Sequence, residues 1–457
     1  MFIDSHAHID FPDFDDDRDE LLRRAREAGV ECIVNPGSDL ESCHRAQALA
    51  EKHKEVYHAL GLHPHYAKDI GDDQWEEFAR LVRESNPVAI GETGLDYHYD
   101  LSPRKAQQEL FRKQVRFTLE LGLPIIIHCR EAYDDCLKVL DDEAPGARWH
   151  GVMHCFTGTA DDARAFLDRG FFVSFAGMIT FPNAGDLRET AAAVSVDHLL
   201  LETDSPYLAP QPVRGKRNEP ANVAHIARVL ADIHKLTVED IARVTSVNAR
   251  TLFAIGEPHG PGEIVYRIRN SLYVNLTNRC SNRCSFCSRE SNPLVKGHWL
   301  RLETDPEADE VIQAIGDPTQ YAEVVFCGYG EPTARLEVLK QVAEHVKKRG
   351  GRVRLNTNGH GNLINDRPIA PELVGLVDEV SVSVNSADRE QYVAICRPTH
   401  GAAAYDAMIE FIKDARERLP KVGVTALDYP GVDIEACRRL ADELGVEYRQ
   451  RKHTEVG

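Results

Sequence analysis

Eight short apolar runs, separated by polar stretches of helical spacing, occupy the first 255 residues of this 457-residue chain. The runs are FIDSHAH, CIVNPG, YHALGLHP, VAIGETGLDY, IIIHCR, GVMHCF, FFVSFAG and LLLETDSP. Between them, DELLRRAREAG, QWEEFARLVRES and QELFRKQVRFTLEL place apolar residues three and four apart, the period of a helix with one buried face. Strands that alternate with helices pair in parallel, because the helix carries the chain back to the starting edge. Eight such units in about 250 residues predict an α/β fold, a (β/α)8 barrel, with a doubly wound open sheet as the rival.

The runs end in polar chemistry. His6 and His8 close the first, and their two-residue spacing puts both side chains on one face of an extended chain. His63 and His65 follow the third, Glu92 the fourth, His128 the fifth, His154 the sixth and Asp204 the eighth. In a barrel these residues gather at the C-terminal rim, where barrel active sites form. Imidazole nitrogens with carboxylate oxygens suit a divalent cation. His6, His8, Glu92, His128, His154 and Asp204 are too many donors for one open catalytic ion, so two ions sharing a carboxylate are expected. His63 and His65 fit substrate contact or support of the ligands as well as ligation. Cys129 and Cys155, each beside a histidine, are expected to face the other way and pack.

HAHID, GLHP, GETGLDY, IIIHCR, MHCF and LLLETDSPYLAP, followed by RGKRNEPANV, resemble the TatD family of metal-dependent hydrolases in motif order. The resemblance runs from residue 1 to about 255. It implies one ion held by His6, His8, Glu92 and Asp204, and another by Glu92, His128 and His154. It implies phosphodiester cleavage of the DNase type, with amide or aminoacyl-ester cleavage as the alternative. Mg, Mn, Zn or Fe would all suit the donors. Glu92 and Asp204 are the expected catalytic pair, with Asp204 orienting a metal-activated water or accepting its proton. Arg214, Lys216 and Arg217 form a basic patch just past the eighth run and are expected, with His63 and His65, to meet the substrate.

Pro and Gly crowd the segment IGEPHGPGE, Ile255 to Glu263. This divides the chain into a hydrolase barrel over 1–255, a linker over 256–263 and a second domain over 264–457. The linker is short, and Pro258 and Pro261 restrict it, so the two halves are expected to act on one molecule in turn. In the second domain NRCSNRCSFC carries Cys280, Cys284 and Cys287. A structural zinc site closes with four ligands, and Cys327 could supply the fourth. Three thiolates on a cubane leave one iron open to a small molecule.

The C-x3-C-x2-C spacing, with Phe286 before the last cysteine, resembles the radical SAM superfamily. EVVFCGYGEPT resembles the strand and glycine-rich turn that meet the amino group of S-adenosylmethionine. The resemblance implies a 4Fe-4S cluster on Cys280, Cys284 and Cys287, and a partial barrel of roughly six strand-helix units. It also implies an electron donor such as flavodoxin or ferredoxin. Gly328, Gly330, Glu331, Asn356, Ser383 and Asn385 are the candidate cofactor contacts; turn capping is the alternative for the last three.

Charge narrows the partners. Residues 1–255 hold 28 Lys and Arg against 43 Asp and Glu, and residues 256–457 hold 26 against 30. Such acidity argues against broad coating of nucleic acid, but leaves room for a local phosphate pocket. A nucleotide or nucleic-acid-derived substrate is expected. No apolar run approaches the ~20 residues of a membrane span, and MFIDSHAHID lacks the features of a signal peptide. No membrane partner and a cytoplasmic address are therefore expected, with the eleven cysteines as thiols or metal ligands. The remaining alternative is that one half only binds substrate.

Overall fold

The computed structural model describes residues 1–256, 261–287 and 293–452. The chain forms two compact units, Met1–Glu257 and Pro258–Gly457. Of the linker expected at 256–263, residues 257–260 lie outside the described residues.

The first unit is a barrel of eight parallel strands: β1 (Phe2–Asp4), β2 (Val30–Pro36), β3 (Val56–Ala59), β4 (Ile90–Asp96), β5 (Ile125–Arg130), β6 (Gly151–Met153), β7 (Phe172–Phe175) and β8 (Leu199–Leu201). Strands β1 to β3 and β4 to β8 pair in chain order, and a parallel bridge between Leu60 and Ile90 joins the two groups. The circle closes where Ser5 N donates to Leu201 O at 2.9 Å and Asp204 N donates to His6 O at 2.9 Å. Asp4 reinforces that seam by accepting from Thr203 N at 2.9 Å and Thr203 Oγ1 at 2.6 Å. The open-sheet rival is thus excluded.

Three buried apolar clusters build this unit, the third around Leu60, Leu62, Phe78 and Phe117. Ile3, Cys32, Val34, Ile126, Val152 and Leu200 form one cluster, with Leu252 and Phe253 from the helix Val238–Phe253 packed against them. The neighbouring positions Ile125, Ile127, Met153, Leu199 and Leu201 belong to a second cluster, shared with the surrounding helices. Those helices follow local rules. Asp72–Ser85 buries Phe78, Ala79, Leu81 and Val82 along one stripe. Val238–Phe253 opens with a capping box, in which Asp240 N donates to Thr237 Oγ1 at 3.1 Å and Thr237 N donates to Asp240 Oδ2 at 3.2 Å. Such a cap contributes ~1 kcal/mol.

The second unit is one open sheet. Its parallel strands, in spatial order, are β10 (Ser271–Val274), β13 (Glu323–Phe326), β14 (Val353–Thr357), β15 (Glu379–Ser383), β16 (Val422–Leu427) and β17 (Glu447–Arg451). These six match the partial barrel expected from the sequence. The sequence reading did not identify β9 (Val265–Ile268), which pairs antiparallel with β10 and extends that edge. A small hairpin, β11 (Leu294–Val295) with β12 (His298–Trp299), stands apart from the sheet. Val353, Leu355, Val380, Val382, Val424 and Ala426 pack beneath helices such as Leu336–Lys348 and Ala403–Arg418.

Candidate metal centre and cysteine loop

Strand parity builds the metal centre. Ile126 points into the barrel, so His128 does too; the same holds for Val152 with His154, and for Leu200 with Glu202. Strand β4 needs glycine to sit against β5. Gly94 has φ +140° and pairs with His128, and a Cβ there would lie 2.0 Å from the His128 carbonyl oxygen.

Glu92 sits at the centre, 4 % exposed. Its Oε2 lies 3.5 Å from His6 Nε2 and 3.4 Å from His8 Nε2. Asp204 Oδ1 lies 3.8 and 3.6 Å from the same two nitrogens. The other oxygen, Oε1, lies 2.9 Å from His128 Nδ1, 2.8 Å from His154 Nε2 and 3.4 Å from His63 Nε2. Two donor sets therefore meet on one carboxylate. His63 lies with the second set, the geometry of the ligation that the sequence left open beside substrate contact. His65 does not join; its Nε2 lies 3.0 Å from Asp96 Oδ2.

These sets fit cations. His6 Nε2 and His8 Nε2 are 3.2 Å apart, and His128 Nδ1 and His154 Nε2 are 3.3 Å apart. Lone pairs so close repel unless a positive charge lies between them. Here the alternative charge is the proton. Burial works against the charged imidazole, yet Glu92 and Asp204 hold His8 up at about 9. Glu92 and Glu202 likewise raise His154. Burial pushes Asp204 up to about 6.

Outer carboxylates orient the donors. His8 Nδ1 donates to the Pro36 carbonyl at 3.2 Å, which leaves Nε2 as the lone-pair donor. Asp96 Oδ2 lies 3.0 Å from His128 Nε2. Glu202, 1 % exposed, lies 3.5 Å from His154 Nδ1 and accepts from Ser174 Oγ at 2.6 Å. The sequence reading assigned no role to Asp96 or Glu202. A signal was present: Asp96 is four residues past Glu92, and Glu202 is two before Asp204, so parity puts each pair on one face.

The centre floors a cavity of about 860 Å³ lined also by Tyr66, Tyr99, Arg130, Cys155 and Tyr207. Arg130, not picked out from the sequence, stacks 4.8 Å from the Tyr99 ring. Cys155 faces this cavity and so departs from its expected packing role; Cys129 is buried in the helix-facing layer but also borders the cavity. The basic patch is not in the lining. Arg217 pairs with Asp17 at 2.7 Å, Arg214 stacks 4.0 Å from the Phe181 ring, and Lys216 is exposed. All three lie on the exposed surface outside that cavity.

In the second unit Cys280, Cys284 and Cys287 lie on the loop after β10, each partly exposed. None of the chain's eleven cysteines is in a disulfide. Arg283 N donates to Cys396 O at 3.0 Å, Ser285 N to Ile395 O at 2.9 Å and Thr399 N to Ser281 O at 2.8 Å, which hold the loop in place. The GYGEP turn is stitched to the start of this loop. Tyr329 N donates to Asn275 Oδ1 at 3.0 Å and Glu331 N to Arg279 O at 2.8 Å. A Cβ on Gly330 would lie 2.4 Å from both the Thr277 and Arg279 carbonyl oxygens, so only glycine fits. Gly328 is equally tight against Asn275, at 2.3 Å.

The other candidate cofactor contacts divide. Glu331 is buried, with Oε1 accepting from Thr333 Oγ1 and Thr357 Oγ1, each at 2.7 Å, and Oε2 accepting from Asn358 N at 2.8 Å. Its carboxylate therefore ties the turn to the end of β14 and is not presented outward. Asn385 is also buried, its Nδ2 turned to Cys396 Sγ at 3.7 Å. Asn356 and Ser383 lie on the sheet face opposite the helix-packed valines, partly exposed.

Comparisons with known proteins agree with this division. The family model for TatD related DNase matches residues 3–254, and that for the Radical SAM superfamily matches residues 274–444. The metal-dependent hydrolase YabD of Bacillus subtilis is 42% identical over 255 residues, covering 56% of this chain and 100% of its own. A protein of Cronobacter turicensis named 3'-5' ssDNA/RNA exonuclease TatD is 37% identical over 258 residues, covering 55% of this chain and 97% of its own. The solved structure of YJJV, a TatD homologue from Escherichia coli, superposes with a TM-score of 0.53 at 34% identity, over 56% of this chain and 98% of that one. The chain belongs to the TatD-related DNase family of metal-dependent hydrolases, with a radical SAM domain joined after the hydrolase barrel.

Proposed function

We propose that the first unit hydrolyses phosphodiester bonds in nucleic acid or nucleotides with two divalent ions. The second unit reductively cleaves S-adenosylmethionine at a 4Fe-4S cluster and acts on a nucleotide-related molecule. The observation that carries the first half is the division of Glu92, with Oε2 toward His6 and His8, and Oε1 toward His128 and His154. Cations held there supply positive charge for a developing oxyanion and lower the pKa of a water. The chain's own groups do the rest. Asp204 lines the cavity floor, where it can orient a water or take its proton. Arg130 on the wall offers a guanidinium for a phosphate. The relative named as an exonuclease acting on ssDNA and RNA favours single strands.

In the second unit Cys280, Cys284 and Cys287 would each hold one iron and leave a corner open for the cofactor. The Gly328–Gly330 backbone is anchored to the same loop. A reduced flavodoxin or ferredoxin would supply the electron. No helix among the described residues is long and apolar enough to cross a membrane, and a cytoplasmic setting suits an oxygen-sensitive cluster.

Two experiments test this reading. Asp204→Asn should keep its fold and cut a single-stranded oligonucleotide at least ~100-fold more slowly; undiminished cleavage would refute the site. Anaerobically reconstituted protein should hold about four iron atoms and release 5′-deoxyadenosine on reduction. The Cys280→Ala, Cys284→Ala, Cys287→Ala protein should do neither. A stable colourless zinc site in the parent would overturn the cluster.

A further inference from the structure

The inner face of the open sheet has a consistent chemistry. Along β14 to β17, alternate residues pack under the helices, and the others face the opposite side. Strand register arranges that second set in layers. Arg354 pairs with Glu379; Asn356 with Ser381; Ser383 with Thr425; Thr425 with Arg449; and Leu427 with Arg451. Moving toward the C-terminal strand ends, where the cysteine loop begins, the acids disappear.

The acids at the far end are already paired. Glu323 takes Arg354 at 2.8 Å, Glu379 takes Arg352 at 2.8 Å, and Glu447 takes Lys421 at 3.0 Å. Arg451 differs. Its guanidinium makes no hydrogen bond or ion pair with any described residue, although the residue is partly buried and its Nε is sealed from solvent. The titratable groups that bear on it are Cys327, Arg449 and Cys284. On the same face, one layer back in register from the Leu427–Arg451 pair, the hydroxyls of Ser383 and Thr425 lie 3.5 Å apart. A buried donor left without an acceptor is costly, so the sealed Nε of this guanidinium favours a bound negative group. Arg451 also lies beyond residue 444, where the match to the Radical SAM family model ends.

We propose that this face binds the radical substrate by an oxyanion, phosphate or carboxylate, held by Arg451, with Ser383 and Thr425 as hydrogen-bonding partners. The inference rests on the second unit being a radical SAM enzyme, and it assigns that enzyme's substrate class. A guanidinium grips such groups with two parallel hydrogen bonds, a geometry lysine cannot copy.

Residue-resolved protection tests it. Full-length, anaerobically reconstituted protein is treated with phenylglyoxal, and peptide mass spectrometry follows modification of Arg451. The reaction is run with sodium chloride of matched ionic strength, with S-adenosylmethionine, and with S-adenosylmethionine plus pyrophosphate or citrate. Pyrophosphate or citrate should slow modification of Arg451 by at least about tenfold, the effect of ~1.4 kcal/mol of binding. Pyrophosphate protection would assign a phosphate substrate, and citrate protection a carboxylate. Equal protection by S-adenosylmethionine alone would overturn the proposal, because the partner would then be the cofactor's carboxylate. No protection by either anion would also overturn it. Iron content and 5′-deoxyadenosine release are measured on the same preparation, so failure of the radical SAM reading is seen separately.

Discussion

Asp96→Asn should weaken one metal ion and spare the other. Asp96 Oδ2 lies 3.0 Å from both His128 Nε2 and His65 Nε2, so it accepts a hydrogen bond from each imidazole. Its Oδ1 accepts from His98 N at 3.0 Å and Tyr99 N at 2.9 Å. Asparagine has only one acceptor oxygen. Keeping the turn directs that oxygen to the two backbone donors and points the amide hydrogens at His128. Nε2 of His128 must then accept, and its proton moves to Nδ1, the atom 2.9 Å from Glu92 Oε1. The lone pair that would bind the second ion is lost unless the ring or amide turns. Changes to such orienting partners cost 10–100-fold in metal affinity, or about 1.4–2.7 kcal/mol. His6, His8 and Asp204 have no contact with Asp96, so the first ion should keep its affinity. Titration against a chelating indicator, with metal content measured after dialysis, reads both sites. The reasoning fails if both ions weaken equally, or if neither changes while the fold is intact.

Two further outcomes follow, one from the donor sets and one from the second unit. Glu92→Ala removes an oxygen from each donor set, so metal analysis should show both ions lost, not one. Burial pushes His360 down to about 4, where it bridges Ser281 Oγ at 2.9 Å and Tyr392 Oη at 2.8 Å. Its unfolded pKa is about 6.5, so below that pH the unfolded chain binds a proton that the folded chain refuses. Stability contributed by this group is therefore full above pH ~6.5 and falls by up to about 3 kcal/mol as pH drops to ~4. Denaturant unfolding of His360→Gln across that range should show a shallower loss than the parent; an identical slope would assign the acid sensitivity elsewhere.

Much of the metal centre was legible because a strand's side-chain period is fixed at two. HAH, just past the end of β1, was expected to present both histidines to one face, and the apolar runs ahead of His128 and His154 fixed which way those residues point. The alternation of strands and helices likewise determined the barrel and the six parallel strands beyond it, since crossover helices leave few ways to pair. What sequence could not settle was which residues, far apart in the chain, share one atom's surroundings. Glu92 takes a separate partner set on each oxygen only because β1, β5, β6 and β8 converge around β4. His63 and Asp96 acquire their places from that convergence, and Arg217 is paired with Asp17, 200 residues away. In the second unit the spacing of Cys280, Cys284 and Cys287 pointed to the radical SAM domain, which the family model matches over residues 274–444. Glu331, however, carries a motif's expected charge yet is turned inward by Thr333, Thr357 and Asn358. Local periodicity determines which face a residue occupies; only closure of the tertiary structure decides what lies opposite it, because hydrogen bonds and charges act over a few ångströms irrespective of distance along the chain.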